Sequence, residues 1–426
     1  IGAGVTVQGS GTISWCCVGG SPTIVNNGII DANSGGTLTI NPVVFTNGGT
    51  LKASVGTLTV SPTSWSGTGP LAASGGTLNL GGSFTRSDLL GGITHSAGTI
   101  NVSGTLDLQN GAIDMGAGGT FGALGLTGVS GTIKNGTLNN TGGLTLTSSN
   151  GTLDGVTLGN SMSESGTLFI NNTLTLADAV TLNIGASQLR FNTATAGIST
   201  SGLGTSATVQ MANGTIYEAA GGTATIGAGV TVQGSGALSW CCVGGSPTIV
   251  NNGIVDANIG GTLTINPTIF TNNGTVQASA GTLNIIPITL NSAGAMRANG
   301  GTLTINPTNA WTNGPGSSIT ETSGTLSLDG SFTLAGLLSS GGTFSRTGGA
   351  LNLTGTMELG GASINIDSGG TFGTGGLGTL SGTLKNGTVT GTTLTSSNGT
   401  LDAIALGSSM SESGTLFINN TLTLAD

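Results

Sequence analysis

The sequence predicts an all-β chain folded as a parallel β-helix, a β-solenoid of about 20 coils with roughly 20–23 residues each. Three observations predict it: a long tandem copy, a short period nested inside it, and strand-like alternation inside each short unit. Residues Ile1–Pro42 return as Ile226–Pro267 with four differences in 42 positions: Thr12/Ala237, Ile13/Leu238, Ile30/Val255 and Ser34/Ile259. Ser148–Asp178 returns as Ser396–Asp426 with four changes in 31. The offset grows from 225 to 248 residues, so the later copy has gained a net 23. A globular core rarely absorbs such an insertion, whereas a solenoid takes it as one more coil. The chain therefore divides into two long repeats, 1–225 and 226–426, the second truncated at its C-terminal end and continuous with the first.

Within the first long repeat, Gly-Thr-Leu or a close relative places Thr at 37, 57, 77 and 99. In the second, the same Thr stands at 262, 282, 302 and 325, and the added segment lies near Gly281–Gly301. Each unit reads as short strands, for example 37–42, 43–48 and 50–54. Leu38 and Ile40 alternate with Thr37 and Thr39, the period of two expected of a half-buried strand. Asn-Gly and Gly-Gly mark the corners because both tolerate positive φ. The outward pairs Thr37/Thr39, Thr57/Thr59, Thr77/Asn79 and Thr99/Asn101 form a rank that resembles ice-binding β-solenoids, although β-propensity alone also favours Thr there. Helices are nearly excluded, since 82 of 426 residues are Gly and each one inside a helix costs about 1 kcal/mol against Ala.

Only 5% of residues are charged, with 7 Lys+Arg against 16 Asp+Glu and a net charge of −9. Nucleic acid is thereby excluded as a partner, for want of clustered basic side chains. Acidic lipid finds no basic face either. No uninterrupted apolar run reaches the length of a membrane-spanning helix. Leu, Ile and Val recur at fixed strand positions, which argues against disorder. Ile226, the counterpart of Ile1, follows Gly-Gly-Thr-Ala-Thr, and after Asp178 the first copy runs on through Ala179–Thr225. We expect an excerpt of a longer, secreted array, with end-to-end stacking as the alternative because neither end shows a polar cap.

Four cysteines come as adjacent pairs, Cys16-Cys17 after Trp15 and Cys241-Cys242 after Trp240. Neighbouring Cα atoms lie about 3.8 Å apart, short for a disulfide, and the two pairs are separated by about ten coils, near 50 Å on a straight rod. A buried small hydrophobe beside an exposed thiol is the plain reading. Cross-linking between neighbouring rods, a strained vicinal disulfide and metal binding are the alternatives. His95 is the only histidine and reads as an exposed polar residue. The carboxylates are scattered, Asp107 with Asp114 being the best local cluster and Glu358 a later equivalent. Asn-Gly-Thr at Asn135, Asn150 and Asn213 matches a glycosylation sequon but reads first as a corner. The pairs Asn26-Asn27, Asn251-Asn252 and Asn171-Asn172 are expected to stack as ladders whose amides bond coil to coil. No catalytic, cofactor-binding or metal-binding residue is assigned.

The Gly-Thr-Leu-Thr-Ile strands, the Val-Asn-Asn-Gly-Ile corners and the scarcity of charge resemble the passenger repeats of bacterial autotransporters and filamentous-haemagglutinin-type adhesins. The resemblance covers essentially the whole chain and is one of repeat style. It implies a right-handed parallel β-helix, secretion, and a role at the bacterial cell surface. The function expected is that of a secreted, non-enzymatic structural β-solenoid: an extracellular rod, stalk or fibre whose partner is itself, end to end or laterally. Adhesion to surface glycans is the alternative; a polysaccharide lyase or hydrolase and an ice-binding protein are further ones.

Overall fold

The computed structural model describes residues 1–16, 19–241 and 244–424. It is a parallel β-solenoid of about 20 coils with almost no helix. Two compact units compose it, Ile1–Val209 and Gln210–Asp426.

In the first unit, strand Thr37–Asn41 turns Leu38 and Ile40 inward and leaves Thr37 and Asn41 exposed. Thr57–Val60 lies parallel on it with Thr37 opposite Thr57 and Leu38 opposite Leu58. The next coils continue the same register through Leu78 and then Ile100. Like residues thus sit on like residues one coil apart, and Leu38, Leu58, Leu78 and Ile100 form a buried aliphatic column. Each such side chain contributes about 1.5–3 kcal/mol by leaving water. A parallel column of this kind also fixes register, because a one-residue slip would turn every inward side chain out.

The second unit repeats the arrangement with Leu263, Leu283, Leu303, Leu326 and Leu351 in register. Its additional coil is a complete one. In the first unit Phe45 is followed on its ladder by Trp65, which stacks on Phe84 at 4.8 Å. In the second, Phe270 is followed by Leu290, and the equivalent aromatic pair, Trp311 with Phe332 at 4.7 Å, comes later.

Corners come in two kinds. Where coils touch most closely only Gly fits: a Cβ on Gly49 would stand 2.1 Å from the Gly28 carbonyl oxygen, and one on Gly274 as close to that of Gly253. Other corners need a single left-handed residue, supplied by Asn135 (φ 56), Asn150 (φ 61), Asn172 (φ 56), Asn213 (φ 66) and Asn386 (φ 55). Asn reaches that region more readily than other side chains because its short amide bonds locally. All three sequon asparagines are therefore corners. Among the described residues the helical content is a 3₁₀ turn, Arg86–Leu89, and a short α-helix, Leu334–Leu338, both at a corner of the coil. Among the described residues no helix is long and apolar enough to cross a membrane.

Candidate functional site

The carboxylates have the best claim to chemistry, so their surroundings decide what the chain can do. Asp107 accepts from the backbone N–H of Gln109 at 2.9 Å and from the Asn135 amide at 3.2 Å, with Lys134 Nζ 3.6 Å away. The backbone bond from Gln109, then the Asn135 and Lys134 contacts, outweigh partial desolvation and hold this carboxyl below its ordinary range. Asp114, on the separate strand Ala112–Asp114, accepts from the Gly116 N–H and from the Thr141 hydroxyl. Burial opposes its charge, yet the bonds from Thr141 and Gly116 win and lower it too. Although close in sequence, the two acids act apart, each ionised and tied to its own partners. A carboxylate so satisfied is poorly matched to proton transfer near neutral pH.

One arrangement recurs. The left-handed Asn at a corner donates its amide to an acid on the preceding coil: Asn135 to Asp107, Asn172 to Asp154 at 2.5 Å, Asn386 to Glu358 at 2.9 Å, and Asn420 to Asp402. Charge-assisted bonds of this type are roughly twice as strong as neutral ones. Other acids staple coils differently. Asp31 binds the hydroxyl of Ser54 at 2.5 Å, and Asp256 that of Ser279 at 2.8 Å. Glu218, fully buried, accepts from three successive backbone N–H groups, those of Ala220, Gly221 and Gly222, at 2.9–3.1 Å. The acid–asparagine contacts join residues 18 to 28 apart, which is why scattered acids in the sequence meet regular partners in the fold.

The asparagine pairs divide. Asn26 is completely buried and donates to Asn47 Oδ1 at 2.9 Å, while Asn251 does the same to Asn272. On the outer side Asn273 donates to Asn252 at 2.9 Å. A Cβ added at Gly48 would stand 2.8 Å from the Asn27 amide oxygen, so Asn27 lies against the next coil. Asn172 departs from the ladder pattern, since its amide goes to Asp154, and the buried Asn171 Oδ1 finds no donor.

Cys16 is exposed and disulfide-bonded, which sets aside its reading as a plain thiol; Cys241 is half-buried. Cys17 and Cys242 lie outside the described residues. Trp15 and Trp240 beside them are 44% and 42% exposed. Among the described residues no group of three or more His, Cys, Asp or Glu side chains is placed to hold a metal ion.

His95 overturns its sequence reading, being 1% exposed. Its Nδ1 lies 2.8 Å from the Gly125 carbonyl oxygen and its Nε2 3.1 Å from that of Gly98. The same slot in the second unit holds Arg346, whose guanidinium donates to the carbonyls of Gly376 and Gly349. The neighbour on the preceding coil changes with it: His95 faces Ala73, whereas Arg346 faces Glu321 and pairs with it, both side chains fully buried. Both residues therefore pin the Gly-rich loop of the following coil, one by a ring and one by an ion pair.

Glu164 stands apart. It is 4% exposed and neither carboxylate oxygen has a partner. Burial pushes it up to about 7; the nearby Ser187 hydroxyl, which bonds the Glu164 backbone carbonyl at 3.3 Å, pulls weakly the other way.

The concavities are shallow surface grooves. The Gly-Thr corners Gly261, Thr262, Gly281, Thr282, Gly301 and Thr302 line one of about 340 Å³ in the second unit. Another in the first unit, about 410 Å³, lies where Gly128 interrupts the outward rank of Asn79, Asn101 and Thr147. A third, about 420 Å³, reaches Asp107, Lys134 and Asp88, but its acids already hold hydrogen-bond partners. No family model matches the chain, and neither a curated protein nor a solved structure matches it.

Proposed function

We propose that this chain is a length of a secreted, non-enzymatic structural β-solenoid that builds an extracellular rod, stalk or fibre with copies of itself. What carries the reading is the fate of the charged groups. Asp31, Asp107, Asp114, Asp154, Asp256, Glu358 and Asp402 each bind a neighbouring coil. Titratable groups converging on an open pocket would favour catalysis; acids tied up as coil-to-coil staples favour mechanical continuity. Electron microscopy of the purified protein tests this reading. Uniform filaments or rods are the expected outcome, and discrete globular particles with polysaccharide-cleaving activity would overturn it. Adhesion to surface glycans is the second reading, favoured by the uncharged rank of Thr and Asn along one face. Location at a bacterial cell surface belongs to the same proposal, and a positive surface-labelling experiment on producing cells is its check.

A further inference from the structure

We infer that the notch at Gly128 is a binding site for one ring of an uncharged saccharide. The inference rests on the adhesive reading and gives it a place on the molecule. The outward rank runs Thr39, Thr59, Asn79, Asn101, Gly128, Thr147 on successive coils. At Gly128 one side chain is missing from an otherwise filled row. Coils lie about 4.8 Å apart, so the side chains above and below the gap are about 9.6 Å apart and leave a slot one layer thick. A single six-membered sugar ring has that thickness.

The lining fits such a guest. Asn101 already uses its amide N–H on Asn79 at 3.0 Å, and its oxygen lies 3.0 Å from where a Gly128 Cβ would stand, so that acceptor faces the gap. Hydroxyls of Ser103, Ser130 and Thr147 surround it, each able to donate and accept, and Val129 behind them is buried in the core. No charged side chain lines the notch, so an anion or cation finds no counter-charge there. At about 410 Å³ it falls within the range of small-ligand sites, roughly 300–1,000 Å³. The equivalent position in the second unit carries Thr379 opposite Asn352, which fills the row. That substitution supplies the control: Gly128 lies outside the left-handed region, and the second copy already accommodates Thr in the same register.

The test uses the full chain, its Gly128→Thr variant and a Ser103→Ala/Ser130→Ala variant that keeps the gap but removes hydroxyls. Each is titrated by calorimetry and ligand-detected NMR with methyl glycosides of glucose, galactose, mannose and N-acetylglucosamine, and with galacturonate as the charged comparison. Each is also passed over immobilised neutral polysaccharide. We expect one neutral glycoside to bind at millimolar concentration, with about tenfold weaker binding or none in Gly128→Thr and an intermediate loss in the double variant. Circular dichroism of the variants should match the parent. Polysaccharide retention unchanged in Gly128→Thr would overturn the notch and leave adhesion standing. Retention of neither protein would overturn both, and preference for galacturonate would overturn the neutral class.

Discussion

At the scale of single residues, Glu164 is the clearest source of instability in the fold. Its carboxyl titrates near 7 when folded against an ordinary 4.5, because burial disfavours its charge and no hydrogen bond to its oxygens offsets that cost. Between those two values the folded chain holds a proton that the unfolded chain has lost, so stability falls as pH rises. Above about pH 7 the full penalty is present, up to roughly 3 kcal/mol from the size of the shift. Glu164→Gln removes the charge while keeping the shape. We expect it to raise the urea midpoint at pH 8 and leave it little changed at pH 4.5, flattening the dependence between. An unaltered pH profile would show that Glu164 is solvated in the folded chain. The corner residue Asn135 separates two other effects. Asn135→Gly keeps the left-handed turn and loses only the amide bond to Asp107, which should cost under about 1 kcal/mol at this exposed site. Asn135→Ala loses the bond and strains the turn as well, adding about 1 kcal/mol. Equal midpoints for the two variants would mean that the turn carries no conformational preference.

At the scale of the coil and its loops, the slot shared by His95 and Arg346 shows two solutions to one problem. The Gly-rich loops Gly116–Gly125 and Asp367–Gly376 turn carbonyl groups inward that need donors. A ring supplies them beside Ala73, and a guanidinium supplies them beside Glu321. Removing one member of a buried ion pair strands the other, so Glu321→Ala or Arg346→Ala should cost about 3–5 kcal/mol. The double variant Glu321→Ala/Arg346→His rebuilds the combination of the first unit and should recover most of that loss in chemical denaturation of the full chain. Losses that simply add would show that the two slots are not equivalent. This slot is also where sequence reading falls short. A lone histidine aligned with an arginine looks like drift on an exposed surface, because nothing local reveals that both face carbonyls about 30 residues onward. The acid–asparagine corners escaped for the same reason: they depend on φ at one residue and on a partner a whole coil away. Strand alternation was legible because it is local, and Leu38 beside Thr37 needs no partner to declare its face.

At the scale of the whole molecule, stability in a solenoid is a sum over coils and the contacts between neighbours, so length is adjustable in units of one coil. The second unit records such an adjustment. Thr282 lies opposite Thr302 and Leu283 opposite Leu303, so residues 283–302 form one full turn that begins and ends at the same point of the cross-section. Both the position and the size of this insertion could be read from the sequence, since a shift in the Gly-Thr-Leu period survives any change of side chains. Deleting residues 283–302 would bring Leu303 into the place of Leu283 and Trp311 to within one residue of the spacing from Phe270 that Trp65 keeps from Phe45. The shortened chain should therefore keep its β-sheet circular dichroism and its protease resistance, with a melting temperature within about 4 °C of the parent. Deleting only residues 283–292 removes half a turn. It would set the small residues Ala293 and Ala295 where the inward-facing Leu283 and Ile285 belong, and the aliphatic column would break at that coil. That variant should be cleaved by protease within the second unit and melt in two separated steps as the coils on either side lose their neighbour. If both deletions were tolerated equally, the coil would not be the unit of folding. If neither were, the inserted coil would carry contacts that its register does not reveal.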